Sequence, residues 1–572
     1  MKTILSRLRD FPSIPLSVVE RLPPSVLFEI LAYSLSAQVP ASLRILPQVS
    51  RTWRLVCYSQ PDLWPTLSLD MSDANTSGKA AYWLRLSGGV PLRIEVTRST
   101  TATPSPKENR SNTMALAKTL RLSLDRWRAF SFVANASDAA IFFAHCTGSA
   151  PLLRHFSVQF TSTAKPPGTI SIALASSSQT FVTLAMSNPQ HVPEWSEAWC
   201  ITHLSLKLNP SDYFSAALIK LWRSLPMLQC LTVTAADDNP HALAQRVRFN
   251  PPNVLVLEHV RSVKMQRVYS LHIFGILHLP SLEAFSAEGI QWSDATMHGL
   301  VTLLPACPLL KEVVLTGTGG VSANPSFPAI ELSAATKVKI AGAPDAFLSR
   351  LSMPSLIDIT FSSVSAHVMC SRLTATSTIT HISLSSLVYP PNMPVPPFVG
   401  AEVTTLSVTC KCLIWLNGCI LPKLRTLSIR SESPESLYPR VGPALQGLIT
   451  RSNPPLQHMY LQGLNTACDK FYSALECMER IERLTFVQCL VGTDTLTAME
   501  SVSRHSRFSW IEVENCSRLA PSQILRLICS RNASATRSGT GIKLRGRVVL
   551  SSDASEVTPE VMDELVSRGI DC

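Results

Sequence analysis

One phrase recurs along this 572-residue chain: a proline, a leucine two positions later, and then two apolar residues that flank one residue of any type. Copies begin at Pro151, Pro226, Pro308, Pro354, Pro422 and Pro454, with a weaker copy at Pro280. Because proline cannot continue a helix, it ends the preceding element, and the alternating apolar pair then forms a short strand with one buried face. The phrase therefore predicts a repeat array rather than one compact core.

Other apolar-x-apolar pairs, without a leading proline, fit the same ladder at steps of about 25 residues, the length of a strand-plus-helix repeat. They lie at 67–69, 92–94, 130–132, 182–184, 204–206, 255–257, 382–384, 406–408, 484–486 and 511–513. Between the pairs, apolar residues recur at helical spacing in 218–225, 300–304 and 525–528. Residues 100–112, rich in Ser, Thr and Pro, are predicted to be a loop.

This strand-and-helix unit resembles an irregular leucine-rich repeat. The resemblance implies an α/β repeat fold, a solenoid over residues 71–550 with a cap or tail at 551–572. Three strands are followed by cysteines, at Cys410, Cys489 and Cys516. In cysteine-containing versions of the repeat that position points inward, so the resemblance implies a packing role for these thiols.

The middle residue of each apolar-x-apolar pair is predicted to point out of the sheet, because side chains along a strand alternate between its two faces. Stacked repeats would gather these residues on a concave parallel sheet, a wide and rigid surface for a protein ligand. Most are short and polar, and simple solvation explains most of them individually. Arg93, Tyr460 and Glu512 are our candidates for contact with a target protein, and Arg93 and Arg430 could read a phosphate on it.

Three proline-led stretches near the N-terminus carry apolar residues that fit short helices. They are 22–31 (Leu-Pro-Pro-Ser-Val-Leu-Phe-Glu-Ile-Leu), 47–56 (Pro-Gln-Val-Ser-Arg-Thr-Trp-Arg-Leu-Val) and 61–64 (Pro-Asp-Leu-Trp). In the second stretch Val49, Trp53 and Val56 fall on one helical stripe. A domain this small cannot hide so much apolar surface, and the surplus predicts a partner.

Together these stretches, over residues 16–70, closely resemble an F-box. That family's motif is an all-α module of three short helices that docks onto a Skp-type adaptor of a cullin–RING ubiquitin ligase. The resemblance implies that seven residues face the adaptor: Leu22, Pro23, Leu27, Ile30, Leu31, Val49 and Trp53. For Leu27 and Trp53, packing inside the small helical core is an equal alternative.

No catalytic motif accompanies these features. The sequence contains no phosphate-binding glycine loop, no serine-nucleophile elbow and no His-Glu-x-x-His helix. Cys410, Cys412 and Cys419 could form a thiolate metal site, but a fourth ligand at zinc spacing is missing. We therefore expect a protein that is not an enzyme and that holds no cofactor and no metal.

The charge and the cysteine content limit the cellular compartment and the class of binding partner that we expect. The 51 Lys and Arg residues outnumber the 40 Asp and Glu but are scattered, which argues against a nucleic-acid-binding stripe. The 15 cysteines include no Cys-x-x-Cys, and charges interrupt the first ten residues before a signal sequence could form. The longest apolar stretch, 299–310, is too short for a membrane span. We expect a reducing compartment, cytoplasm or nucleus.

These observations favour a substrate receptor of a Skp–cullin–F-box ligase, with the module holding the adaptor and the repeats presenting an unidentified target protein. One alternative is a leucine-rich-repeat scaffold without a ligase role, whose helical start only caps the solenoid. A further alternative, an enzyme or nucleic-acid binder built on repeats, would require a clustered arginine face.

Overall fold

Parallel strands connected by helices or short turns account for most of the chain in a computed structural model. The structure describes residues 22–37, 48–99, 106–160, 170–175, 182–187, 194–195, 201–208, 216–235, 255–267, 277–318, 328–389, 394–432, 439–501, 507–517, 521–538, 543–549, 567 and 570–571. The chain divides into two compact units, residues 1–250 and 251–572.

In the first unit, seven strands of the main sheet pair side by side in sequence order, each parallel to the next. They are β1 (Thr66–Asp70), β2 (Leu92–Thr97), β3 (Trp127–Ala134), β4 (His155–Phe160), β5 (Val182–Ser187), β6 (Ile201–Leu208) and β7 (Cys230–Ala235). The helices of this unit are α1 (Pro24–Ala37), α2 (Arg51–Ser59), α3 (Thr76–Leu86), α4 (Pro106–Arg121), α5 (Ala136–His145) and α6 (Ala216–Arg223).

The second unit continues the same plan with thirteen parallel strands in sequence order. They are β8 (Ser262–Gln266), β9 (Ala284–Gln291), β10 (Glu312–Thr318), β11 (Lys337–Ala341), β12 (Asp358–Ser362), β13 (His381–Ser385), β14 (Thr405–Thr409), β15 (Thr426–Arg430), β16 (His458–Gln462), β17 (Arg483–Val487), β18 (Trp510–Glu514), β19 (Arg545–Val549) and β20 (Ile570–Asp571). Its helices are α7 (Asp294–Leu303), α8 (Asp345–Leu348), α9 (Ala366–Thr374), α10 (Leu413–Leu416), α11 (Gly442–Ser452), α12 (Asp469–Glu476), α13 (Thr493–Ser501) and α14 (Pro521–Ser538).

In every copy except that at Pro454, the proline occupies the second position of a tight turn that leads into a strand; at Pro454 the N–H of Leu456 donates to the carbonyl of Pro454 itself, at 2.8 Å. In six copies the N–H of the following leucine donates to the carbonyl three residues earlier, at 3.1–3.3 Å, as Leu356 does to Met353. Proline suits this position because its φ is already fixed near the value the turn needs. The leucine is thereby aimed inward and is buried in every copy. The proline therefore does more than end an element, since it sets the entry angle of the strand.

Neighbouring repeats of the second unit are joined at the strand start by a shared acceptor. The carbonyl of Lys311 accepts from the N–H groups of both Thr336 and Lys337, at 2.9 and 3.0 Å. The same double contact recurs from Glu283 through Glu482, one repeat at a time. Because every copy uses the same backbone groups, each repeat is held in register with the one before it.

Directly after the strand, the backbone repeatedly turns into the left-handed region. Positive φ occurs at this position at Arg267, Gly342, Ser363, Ser386, Gly463, Gln488 and Asn515. For most of them the N–H then donates to the last carbonyl of the next strand, as Ser363 does to Ser385 at 3.0 Å. The conformation costs a non-glycine residue about 1–2 kcal/mol, but it bends the chain out of the sheet while keeping the backbone hydrogen bonded.

The alternation predicted for the strands is confirmed, because both apolar positions are buried in nearly every predicted pair within the described residues. The first unit packs mainly aromatic rings: Phe130 stacks on Trp127 at 4.4 Å between centroids and lies 5.7 Å from both Phe142 and Phe156. Cores of this density make the array one continuous packed layer within each unit.

Three sequence predictions differ from the structure. Residues 255–257 do not supply a ladder strand, because Leu255–Val256 pairs only with Leu277–His278, and β8 takes the ladder position instead. Residues 106–112 belong to α4 rather than a loop, since a proline is well tolerated at a helix start and Leu116 and Leu120 bury one face. Strands β8, β11, β19 and β20, which lack the proline phrase, were not predicted. The predicted tail at 551–572 is described only at residue 567 and at 570–571, where β20 pairs with β19.

Candidate interaction surfaces

The described residues of the N-terminal module, 22–37 and 48–64, contain α1, a helical segment at residues 48–49, α2 and a single 3-10 turn at Pro61–Leu63. Helix α2 begins at Arg51 because Ser50 has an extended backbone and its hydroxyl accepts from the N–H of Trp53 at 3.3 Å. Val49 therefore precedes the helix cap and does not share the stripe of Trp53 and Val56. Residues 48–49, directly before the cap of α2, are helical as well and belong to neither α1 nor α2, and the residues that precede them (38–47) lie outside the described part of the chain.

The module has its own small core. Its buried members are Leu27, Leu31, Val56, Cys57, Leu63 and Trp64. The Trp64 indole N–H donates to the carbonyl of Cys57 at 2.6 Å, which fixes the 3-10 turn against α2. Burial of this kind stabilises each aliphatic side chain by about 1.5–3 kcal/mol.

This core also extends onto the first repeat. Trp83 and Leu86 of α3 are partly buried against it. The rings of Trp64 and Trp83 meet edge to face, with 4.9 Å between centroids and an interplanar angle of 82°. The module is thus continuous with the beginning of the solenoid in the first unit.

A second set of apolar side chains on the module remains on the surface. Val26 and Ile30, one turn apart on α1, are each 42% exposed. Val49 is 57% and Leu55 is 70% exposed. Helix α1 is therefore apolar on two sides, with Leu27 and Leu31 inward and Val26 and Ile30 outward.

The seven residues assigned to the adaptor by resemblance fall into three groups. Pro23, Ile30 and Val49 are exposed, whereas Leu22 and Trp53 are half-buried against the module core. Leu27 and Leu31 are fully buried, so their prediction as contact residues needs correction. Their side chains pack the core because they lie on the side of α1 that faces α2 and the 3-10 turn, and for Leu27 this is the alternative that the sequence left open.

The outward face of the second unit is formed by the first, third and fifth residues of each strand. Ladder pairing places Ser407, Ser428, Tyr460, Thr485, Glu512 and Arg547 in one row across six neighbouring strands. Thr485 is the buried member of this row, because Glu512 covers it and receives its hydroxyl hydrogen bond at 3.3 Å.

The predicted target contacts occupy different environments. Tyr460 lies under the guanidinium of Arg430, with 5.0 Å from Cζ to the ring centroid. Glu512 is 13% exposed and accepts from Arg483 at 2.9 Å, with Arg547 at 3.4 Å on its other oxygen. Tyr460 and Glu512 thus share a row in the second unit, while Arg93 is exposed on β2 of the first unit.

Electrostatics explain why Glu512 stays ionised. Burial acts to raise the pKa of its carboxyl, but the hydrogen bond and charge of Arg483, together with Thr485 and Arg547, outweigh burial and hold the pKa below its ordinary value. Glu512 is therefore an internal anchor for two arginines. Arg483 was missed because the sequence was read only at the middle strand position, although the first position faces outward too. Arg547 was missed because its strand, β19, was not predicted.

All but one of the described cysteines are buried or half-buried, and the exception is the exposed Cys477. Thirteen lie in the described part of the chain, all as free thiols. Cys489 is buried, while Cys410 and Cys516 are half-buried, so the predicted inward position is fully realised only at Cys489. Burial raises the pKa of Cys370 to about 11 and that of Cys307 to about 12. Burial also raises the pKa of Cys412 and Cys419.

No group of three or more His, Cys, Asp or Glu side chains among the described residues is arranged to hold a metal ion. Within the same residues, every helix is too short or too polar to cross a bilayer.

Comparison with known proteins adds little to this geometry. No family model matches the sequence. No curated protein matches it either. Among solved structures, a chain of the TLR13–ssRNA13 complex aligns with 11% identity and a TM-score of 0.35, over 80% of this chain and 59% of that chain. The aligned part is less than two thirds of that chain, and a likeness this weak carries no argument. The α/β repeat architecture described above rests on the strand pairing itself, and the F-box likeness rests on sequence.

Proposed function

We propose that this chain is a target-recognition subunit of a Skp–cullin–F-box ubiquitin ligase, acting in the cytoplasm or nucleus. The N-terminal module would bind the adaptor, and the outward sheet face would hold a target protein. The chain itself would carry no catalytic residue, since its contribution is to raise the effective concentration of the target beside the ubiquitin carrier.

The observation that carries this proposal is the pair of apolar sides on α1. Leu27 and Leu31 already supply the core of the module, so Val26 and Ile30 are not needed inside. Exposed apolar clusters on small modules mark protein-binding surfaces. The residues on this side belong to the same proline-led stretches that resemble an F-box.

A second candidate function is favoured by the contact of Trp64 with Trp83. A module that shares its core with the first repeat serves as an end cap, and terminal caps are required for soluble repeat arrays. In that case the chain is a protein-interaction scaffold without a ligase role. Capping and adaptor binding use different sides of the module, so binding must be tested without unfolding it.

The test is co-purification of the full-length protein with a recombinant Skp-type adaptor. We expect the double variant Ile30→Asp, Val49→Asp to lose at least tenfold in affinity, because both changes place charge on an apolar contact. The matched control, Leu122→Asp with Leu152→Asp, alters two other exposed leucines of the first unit and should bind like the wild type.

Circular dichroism melting of all three proteins establishes that the module is folded. If the wild-type protein does not capture the adaptor, the ligase role is wrong and the scaffold function remains. Equal capture by the wild type and the Ile30, Val49 variant would place the adaptor elsewhere and contradict the assigned surface.

A further inference from the structure

Three neighbouring strands near the C-terminal end of the described chain concentrate arginine around one tryptophan. Ladder pairing places Arg483, Trp510 and Arg545 side by side at the first outward position of β17, β18 and β19. Glu512 and Arg547 are neighbours at the third position of β18 and β19. We call these five residues the arginine–tryptophan patch.

The patch is built around the Glu512 carboxylate. That group is 13% exposed, whereas the side chains of Arg483 and Arg547 are 49% and 53% exposed. Both guanidinium groups are thus fixed from below and present their remaining N–H donors to solvent. Ordering them in advance lowers the entropic cost of binding an anion.

Trp510 adds an aromatic element to this cationic surface. The Arg483 guanidinium lies over its ring, 5.4 Å from Cζ to the centroid. On the neighbouring strands, Arg430 and Tyr460 repeat the arrangement at 5.0 Å. Stacked arginines keep their planar donor edges available for carboxylate groups, which they bind in a bidentate manner.

The rest of the outward face in the second unit is different. On β8 to β11 two of the lysines are paired, Lys337 with Glu312 at 2.9 Å and Lys264 with Glu288 at 3.6 Å. On β12 to β15 the middle outward positions are all Ser or Thr, at Thr360, Ser383, Ser407 and Ser428. Positive charge exceeds negative charge locally at the patch, where Arg483, Arg545 and Arg547 stand against Glu512 and the nearby Glu514.

We propose that the arginine–tryptophan patch binds an acidic protein segment, with Asp or Glu carboxylates on Arg483, Arg545 and Arg547 and an apolar side chain on Trp510. This inference rests on the proposed function in that the outward face receives the target. Glu512, and Glu514 on the same strand, would repel a continuous line of phosphates, so spaced carboxylates fit the patch better than a nucleic acid or a phosphorylated segment.

The experiment measures fluorescence anisotropy of a labelled peptide, in which Asp and Glu alternate with Ser around one Phe, on the full-length protein. We expect saturable binding that is about tenfold weaker for the double variant Arg545→Glu, Arg547→Glu, because two donors become repulsive. The control, Lys264→Glu with Lys339→Glu, makes the same charge change on the same face and should bind within twofold of wild type. Thermal melts verify that both variants are folded.

Three further probes make the result decisive. The peptide with Asn and Gln in place of Asp and Glu should not bind, and a phosphoserine peptide or a single-stranded RNA should bind no tighter than the acidic peptide. Absence of acidic-peptide binding, equal weakening by both variants, or preference for phosphate or RNA would each overturn the proposal. Adaptor capture by the Arg545, Arg547 variant should equal that of wild type, so failure here is separable from failure of the ligase role.

Discussion

The N-terminal module and the repeats use apolar residues in opposite ways. In the repeat strands the two core positions are buried and the outward positions are mostly polar or charged. In the module, α1 is apolar on two sides, with Leu27 fully buried and its neighbour Val26 42% exposed. Single exposed apolar side chains scattered along the repeats therefore carry no information about binding. On the module, neighbouring exposed apolar side chains identify a surface that is not part of the core.

We expect the largest loss of stability from a substitution in the core of the repeats. Phe130→Ala removes a ring that stacks on Trp127 at 4.4 Å and should lower the free energy of unfolding of the first unit by about 3–5 kcal/mol. Urea denaturation followed by circular dichroism measures the loss. Leu122→Ala, at a side chain that is 85% exposed, should change it by less than about 0.5 kcal/mol. Similar losses for the two variants would contradict the assigned core.

The sharpest test of the comparison uses two adjacent residues of α1. Leu27→Ala should cost about 2–5 kcal/mol in module stability, because the side chain is fully buried. Val26→Ala should cost less than about 0.5 kcal/mol, since alanine favours a helix and the side chain is partly exposed. Hydrogen exchange of α1 amides reports the difference. The comparison fails if Val26→Ala is the more damaging change.

The left-handed position after the strands provides a third test. Gly342 has φ +67°, and a Cβ there would collide with the carbonyl oxygen of Gly317. Gly342→Ala should therefore destabilise the second unit by about 1–3 kcal/mol, measured as a shift of its thermal midpoint. Gly89→Ala is the control, because a Cβ at that position meets no atom within 4 Å. A silent Gly342→Ala would mean that this turn is not constrained.

The smallest effect has the opposite sign. Ser363 holds φ +52° and its side chain is exposed. Ser363→Gly should stabilise the second unit by about 0.5 kcal/mol, since relief of left-handed strain exceeds the added entropy of glycine in the unfolded chain. Ser362→Gly, one residue earlier in β12, should destabilise it instead. Differential scanning calorimetry resolves the sign, and stabilisation by both changes would refute the explanation.

Sequence reasoning succeeded where a single physical rule determined the outcome. The period of two residues assigned Ile359 and Phe361 to the core, and the proline phrase located their strand. Sequence reasoning missed β11, where Val338 and Ile340 alternate with lysines but no proline precedes the strand at the turn position. It also missed β19, because one inward position is Gly546, where a Cβ would lie 3.0 Å from the Ile511 carbonyl oxygen.

The surfaces were harder to predict than the core. In α1 the apolar residues fit two helical sides equally well, so only tertiary packing against α2 and Trp64 assigns Leu27 inward. The arginine–tryptophan patch depends on which residues become neighbours across strands 27 or 35 residues apart, as in Thr485–Glu512 and Glu512–Arg547. The number of residues between successive strands varies along the chain. A fixed repeat length therefore cannot identify which residues become neighbours across strands.

The shared carbonyl at each strand start has a consequence for how such a chain can change over time. Lys311 receives two N–H groups from the next repeat through backbone atoms alone, so the joint is indifferent to side-chain identity. A duplication or deletion of one whole repeat would recreate an identical joint, whereas an insertion of half a repeat would leave these groups unmatched. The array can therefore gain or lose whole repeats without disrupting these hydrogen bonds, even where the sequences of those repeats have diverged.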